Sequence, residues 1–320
     1  MKAIANGKQI APRKKYGKGG ARETLTDKLQ VGAMMLPSVI FLAVFSIYPI
    51  FWVLKFMFFD YDDAHPAKYV GFANFVRLFT RDDHFWQSVW NTLVYGGGKV
   101  LITIPLAFIL ALLLNEAFKG RDFIRASVFM PTIISTSVVS MMFYYILNPY
   151  NGILNLLMQR FGMISEPINW LGSDNAMFAA ILVAVWGGIG NYMIYFIAGL
   201  QGIPKEVYES ASIDGSNRLQ TMWYITIPML GPVMQIIVML AIINSLKGYE
   251  SIMVLTGGGP AGSTEVMFLY VYRLFFPMSD GSDFRVDYGY GATASFISAI
   301  IVGIITCAYL WYSKKMSENE

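Results

Sequence analysis

Ala292-Thr-Ala-Ser-Phe-Ile-Ser-Ala-Ile-Ile-Val-Gly-Ile-Ile-Thr-Cys-Ala-Tyr-Leu-Trp-Tyr312 runs for 21 residues without a charged side chain. At 1.5 Å per helical residue such a segment is about 30 Å long, the thickness of a bilayer's hydrocarbon core. Five more stretches of this character lie upstream: approximately Val31 to Phe58, Val89 to Leu114, Val128 to Leu147, Met177 to Leu200 and Ile227 to Leu246. None alternates with the two-residue period of a barrel strand. Backbone groups facing lipid must be satisfied within their own segment, so these stretches are helices. The whole chain agrees, with 55% of its 320 residues hydrophobic and 14% charged, a balance that water does not keep in solution. The expectation is an all-α membrane protein with six transmembrane helices over 31–312, between a tail of residues 1–30 and another of 313–320.

Lys and Arg collect in loops that stay cytoplasmic. Here they crowd the N-terminal tail (Lys2, Lys8, Arg13, Lys14, Lys15, Lys18, Arg22, Lys28), the second loop (Lys119, Arg121, Arg125), the fourth (Lys205, Arg218) and the C-terminus (Lys314, Lys315). Alternate loops carry acid instead: Asp60, Asp62, Asp63, Asp82 and Asp83, then Glu166 and Asp174, then Glu250, Glu265, Asp280, Asp283 and Asp287. Both termini are therefore expected inside, in agreement with an even number of spans. The net charge of +3 reflects this asymmetry rather than affinity for nucleic acid, and a basic tail beside a bilayer meets anionic headgroups. The first thirty residues lack a short apolar core followed by a cleavage site, so they are expected to be a retained tail. Cys307, the single cysteine, lies within the last span and offers no disulfide framework. The outer loops, with Trp86, Trp90, Trp170, Tyr270 and Tyr272, suit either an extracytoplasmic partner or plain solvated connections.

Between the fourth and fifth spans the chain reads Gly202-Ile-Pro-Lys-Glu-Val-Tyr-Glu-Ser-Ala-Ser-Ile-Asp-Gly-Ser-Asn-Arg218, then Leu219 to Ile227 and Pro228. Pro204 suits the first turn of a helix, and Glu206 and Glu209 lie near that helix's positive end. Gly215 lets the backbone turn, and a second helix is expected to end at Pro228. A short helix against the cytoplasmic face is either a ligand for a groove on a cytosolic protein or an interfacial helix without one.

Glu209-Ser-Ala-Ser-Ile-Asp-Gly215, with Ile227-Pro228 downstream, resembles the EAA loop of ABC importer permeases, in particular the sugar-transporting branch that includes maltose, multiple-sugar and alginate systems. The resemblance extends over Leu36-Pro37, Tyr48-Pro49, Phe72-Ala-Asn-Phe75, Asn91-Thr92, Gly120-Arg121 with Arg125 and Pro131, and Asn148-Pro149 with Gly152 and Asn155. It continues through Leu255-Thr-Gly-Gly-Gly-Pro260, Tyr270-Val-Tyr-Arg273 and Gly289-Tyr-Gly-Ala292. Ser210 departs from the triplet's first alanine. The resemblance implies the type I importer permease fold in a bacterial cytoplasmic membrane, with a coupling loop over about 201–228. Glu209, Ser210, Ala211, Asp214 and Gly215 would be the positions that engage an ATPase. It also implies a second homologous permease subunit, a dimer of ABC ATPase subunits and an extracytoplasmic solute-binding protein. No Gly-x-x-x-x-Gly-Lys-Ser/Thr loop occurs in the chain, so ATP and Mg are expected on the partner ATPase. The chain is then a transporter subunit and not an enzyme.

Polar residues within bilayer depth usually face a cavity or the bundle interior. Trp186-Gly-Gly-Ile-Gly190-Asn191-Tyr192 is expected to break the fourth span, while Asn244, Lys247 and Glu250 end the fifth. By resemblance to the maltose permease, Trp186, Gly190, Asn191, Tyr195, Asn244, Lys247 and Glu250 would line a sugar path. Aromatic faces and amides suit pyranose rings and hydroxyls, but packing explains Trp186, Tyr195 and the glycines equally well. Lys99 sits too deep to snorkel easily. Lys99 and Lys247 either attract an acidic sugar or serve as structural ion pairs or anchors. His65 and His84, among aspartates, read as solvated charge rather than a metal site. An ion-coupled secondary transporter would need a carboxylate at mid-span, where none lies. An intramembrane enzyme would need a nucleophile with a base; Ser135, Ser137 and Ser140 have no histidine among the spans and read as packing hydroxyls.

Overall fold

The computed structural model describes residues 25–62, 64–276 and 286–317; the basic residues Lys2 to Arg22, and Asp63, Asp280 and Asp283, lie outside them. The chain divides into two units, Met1–Trp52 and Val53–Glu320. In the first, α1 (Leu25–Leu42) passes through a π turn, Ala43–Ile47, into α2 (Tyr48–Phe56), whose last four residues belong to the second.

The second unit continues with a two-residue hairpin, β1 (Phe59–Asp60) antiparallel to β2 (Lys68–Tyr69) with Phe59 opposite Tyr69, and then α3 (Ala73–Thr80). Asn74 secures this segment by donating to the carbonyls of Met57 (3.0 Å) and Phe59 (2.9 Å). After it come α4 (Asp83–Asn115), α5 (Arg121–Ile133), α6 (Thr136–Ile146), α7 (Ile153–Arg160) and α8 (Ala176–Gln201). The remainder is α9 (Lys205–Ile213), α10 (Arg218–Thr221), a π turn at Met222–Thr226, α11 (Ile227–Leu246), α12 (Tyr249–Leu255), α13 (Met267–Phe275) and α14 (Tyr288–Ser317).

Among the described residues five segments are long and apolar enough to cross a membrane: Leu29–Phe56, Asp83–Asn115, Ala176–Gln201, Arg218–Leu246 and Tyr288–Lys315. The straight third span predicted over Val128 to Leu147 is instead the pair α5 and α6, bent by 96°, which makes the sixth if the pair counts as one. Pro131 has no N–H to give the carbonyl one turn back, and Ile134 and Ser135 then take extended ψ angles of 138° and 135°.

Two other expectations are corrected. The helix predicted to end at Pro228 does not end there; α10 runs through the π turn into α11. The wide turn carries the Ile227 N–H back to the Met222 carbonyl, and it relieves the clash between a proline ring and the carbonyl four residues before it. The same device precedes Pro49, where the Tyr48 N–H reaches the Ala43 carbonyl. The break expected at Gly187, Gly188 and Gly190 is absent, for α8 is continuous over 26 residues. A backbone in the hydrocarbon core has no other partner for its hydrogen bonds, so glycine alone does not open a helix there. Gly190 serves close packing: a Cβ on it would lie 2.6 Å from the Val128 carbonyl oxygen and 2.8 Å from Phe129 Cα.

Ala107 and Ala111 of α4, Tyr192, Met193 and Phe196 of α8, and Leu230 and Ile237 of α11 form one buried cluster, the small residues allowing close helix approach. In the first third of α4, Asn91 donates to the carbonyls of Gly262 (2.9 Å) and Glu265 (3.0 Å), and Thr92 Oγ1 accepts from the Met267 N–H (2.8 Å). Arg273 pairs with buried Glu265 at 2.7 Å and donates to the Gly257 carbonyl. These bonds fix the Gly-Gly-Gly-Pro segment between α12 and α13.

Candidate functional site

Helical periodicity places Val183 and Ala184, Gly187 and Gly188, and Asn191 and Tyr192 in a single stripe along α8. That stripe faces a cavity of about 330 Å³ within the second unit. Tyr95 and Lys99, one turn apart on α4, line another side. Thr132 and Ile134, at the bend between α5 and α6, close a third. Asn244 and Lys247, at the end of α11, and Glu250 and Ser251, at the start of α12, complete the wall. Ser140 of α6 donates to Ser251 Oγ at 3.0 Å and ties the two elements together. The interior is thus an amide, hydroxyl and charge-lined space inside a bundle of otherwise apolar helices, able to bond a polyhydroxylated solute from several directions.

Of the residues the sequence singles out for a substrate path, Asn191, Asn244, Lys247 and Glu250 line this cavity together. Three others lie elsewhere. Trp186 packs edge-on against Phe143 at 5.2 Å between ring centres, Gly190 packs against α5, and Tyr195 is 43% exposed with its ring against Tyr192. Sequence reasoning does not single out Tyr95, Thr132 or Ser251 as lining residues, and it names Tyr192 only as the end of the segment Trp186 to Tyr192. Tyr95 had a legible signal in its place one turn from Lys99. Ser140, read as a packing hydroxyl, both packs and lines the cavity. Between β1 and β2, His65 Nδ1 lies 3.0 Å from the Asp62 carboxylate, whose pKa is lowered first by that hydrogen bond.

The second candidate is α9. Pro204 is its N-cap and Glu206 sits in its first turn. Its C-terminus closes in a Schellman arrangement, with the Ser216 N–H bonding the Ala211 carbonyl (3.0 Å) and the Gly215 N–H the Ser212 carbonyl (3.2 Å). Gly215 takes the left-handed φ of +78° that this turn needs. Asn217 and Gln220 then cap α10 reciprocally, at 2.8 and 2.9 Å. Ala211 is buried, Ser210 Oγ donates back to the Glu206 carbonyl (2.9 Å), and Glu209, Ser210, Asp214 and Gly215 are exposed. Ile213, which the sequence reading passes over, is 86% exposed. An apolar side chain next to the Asp-Gly turn was the available signal.

Residues 103–318 match the family described as "Binding-protein-dependent transport system inner membrane component". The chain belongs to that family. It is 34% identical over 285 residues to the trehalose/maltose transport system permease protein MalF of Thermococcus litoralis, covering 87% of this chain and 91% of that protein. It is 32% identical over 283 residues to the multiple sugar-binding transport system permease protein MsmF of Streptococcus mutans, covering 88% and 94%. Among solved structures, a bacterial ABC transporter involved in the import of the acidic polysaccharide alginate contains a similar chain. Its TM-score is 0.78 and its identity 25%, over 91% of this chain and 96% of that one.

As an inner membrane component of a binding-protein-dependent system, the chain is a multi-pass transport permease with the importer permease fold. The matched segment holds α9 and the α8, α11 and α12 walls of the cavity. Tyr95 and Lys99 precede it.

Proposed function

We propose that this chain is the transmembrane permease subunit of an ATP-binding-cassette importer. Its solute is a sugar or oligosaccharide, acidic ones included, delivered by an extracytoplasmic solute-binding protein. The relatives named for trehalose, maltose and multiple sugars support the solute class. The observation that carries the mechanism is the unbroken course of Arg218–Leu246. It begins at the turn that follows exposed α9 and ends at the cavity wall with Asn244 and Lys247, roughly 40 Å away at 1.5 Å per residue. A displacement of α9 is transmitted along that rod to the cavity.

In this reading α9 is cytoplasmic and sits in a cleft of an ATPase subunit, one of a pair that binds ATP and Mg. Glu209, Ser210, Asp214 and Gly215 present the polar contacts, and Ile213 gives the apolar one. Asn244, Lys247 and Glu250 remain exposed at the cavity's edge. Charged groups there are not left to lipid, so a second homologous permease subunit covers that side. The permease makes no covalent bonds. ATP, bound elsewhere, acts by its differential affinity for the outward-open and inward-open states. The test is reconstitution of the chain with its ATPases, second permease and binding protein in proteoliposomes, with labelled maltotriose and oligouronates as solutes. Uptake is expected only with ATP and loaded binding protein, and uptake driven by a proton or sodium gradient without ATP overturns the reading.

A further inference from the structure

We infer that Lys99 is the anion-binding residue of the cavity, and that the saccharide the cavity is built for bears a carboxylate or similar anionic group. This rests on the importer reading above and names its substrate class. Lys99 is the midpoint of the 33-residue α4, and it lies ten residues inside the expected span from Val89, about 15 Å from the nearer interface at 1.5 Å per residue. A lysine stem spans a fraction of that distance, so snorkelling to an interface is closed to it.

The alternative of a structural ion pair lacks a partner. Among the described residues the Lys99 ammonium makes neither a hydrogen bond nor a salt bridge. Glu250, the cavity's single carboxylate, is not within salt-bridge distance of Lys99 or Lys247. Two ammonium groups therefore share the wall with one carboxylate, and an unpaired charge within a membrane bundle is costly. Space has been left for it: a Cβ on Gly188 would sit 3.9 Å from Lys99 Cε, and Gly187 beside it faces open space. Asn191 and Asn244 line the same cavity with their amides. A neutral sugar offers that set hydroxyls alone. A uronate supplies the counter-charge in a charge-assisted hydrogen bond while its hydroxyls take the amides.

The experiment uses the complete assembly in proteoliposomes, with three labelled solutes: an oligogalacturonate, its fully methyl-esterified counterpart, and maltotriose. Lys99→Met, which keeps the stem's length, is expected to lower ATP-dependent uptake of the oligogalacturonate at least tenfold. Uptake of the ester should change less than twofold, and Lys99→Arg should retain transport of the acid. Equal losses for acid and ester overturn the inference, since they mark Lys99 as paired with an acidic residue of the second subunit. Unchanged uptake of the acid by Lys99→Met overturns it too. Wild-type uptake of maltotriose or the ester alone refutes the anionic class but leaves the importer standing. Absence of ATP-dependent uptake of all three overturns the importer reading itself.

Discussion

Three glycines within four residues of α8 should respond differently to the same methyl group. At Gly190 an added Cβ meets the Val128 carbonyl oxygen at 2.6 Å, Phe129 Cα at 2.8 Å and Thr132 Oγ1 at 2.9 Å. Two of these atoms are backbone, so relief requires α5 to move as a body. At Gly187 the same Cβ meets nothing within 4 Å, and at Gly188 only ordinary contacts at 3.9 Å. Alanine in place of glycine raises intrinsic helix propensity by about 1 kcal/mol at any of the three, so the difference between variants isolates the packing. Overpacking of this kind costs about 1–3 kcal/mol, or roughly a fivefold to 150-fold difference in the unfolding equilibrium. Unfolding the purified protein in mixed micelles by titrated dodecyl sulfate, read by circular dichroism, should rank Gly187→Ala and Gly188→Ala above wild type and Gly190→Ala below both of them. If Gly190→Ala matched Gly187→Ala within about 0.5 kcal/mol, the scatter expected of a surface change, the close approach of α5 to α8 would be wrong.

Ile213→Asp should leave thermal stability unchanged, since the side chain is 86% exposed, and should weaken co-purification of the ATPase at least tenfold. Glu209→Lys should weaken it less, a surface ion pair contributing about 0–1 kcal/mol, while uncoupling hydrolysis from uptake. Both are read by pull-down and ATPase assay, and normal sugar-stimulated hydrolysis in Glu209→Lys refutes its role. Glu265→Gln removes the carboxylate from a guanidinium that is 11% exposed and should cost about 3–5 kcal/mol, with raised proteolysis of the segment between α12 and α13 as a second readout. Tyr270 is held above the ordinary phenol value of 10.0, first by burial and then by donating to Asp82. A group raised in the folded state stabilises it fully below the unfolded pKa and loses that contribution as pH climbs. Melting temperature should therefore fall as pH rises above about 10, and Tyr270→Phe should flatten part of that fall.

Run length was enough to reveal the spans apart from the bend in the third, and the turn chemistry of Pro204 and Gly215 was enough to mark α9, because each depends on a few adjacent residues. The cavity was half legible. Asn191, Asn244, Lys247 and Glu250 stand out as polar groups in apolar surroundings, but which face of α8 turns inward is decided by α4 and α5, not by α8. The glycine cluster is ambiguous for the same reason, since one residue type opens space at Gly187 and Gly188 and closes it at Gly190. Proline shows the principle most clearly. Pro105 sits inside an unbroken α4, Pro49 and Pro228 each follow a π turn, and Pro131 precedes a bend of 96°. In lipid a chain keeps its helix because its backbone has no other hydrogen-bonding partner, and irregular backbone survives where it borders a polar cavity. Ile134, in the bend, lines that cavity. The break after Pro131 therefore depends on the polar space beside it, which is assembled from helices far away in the sequence.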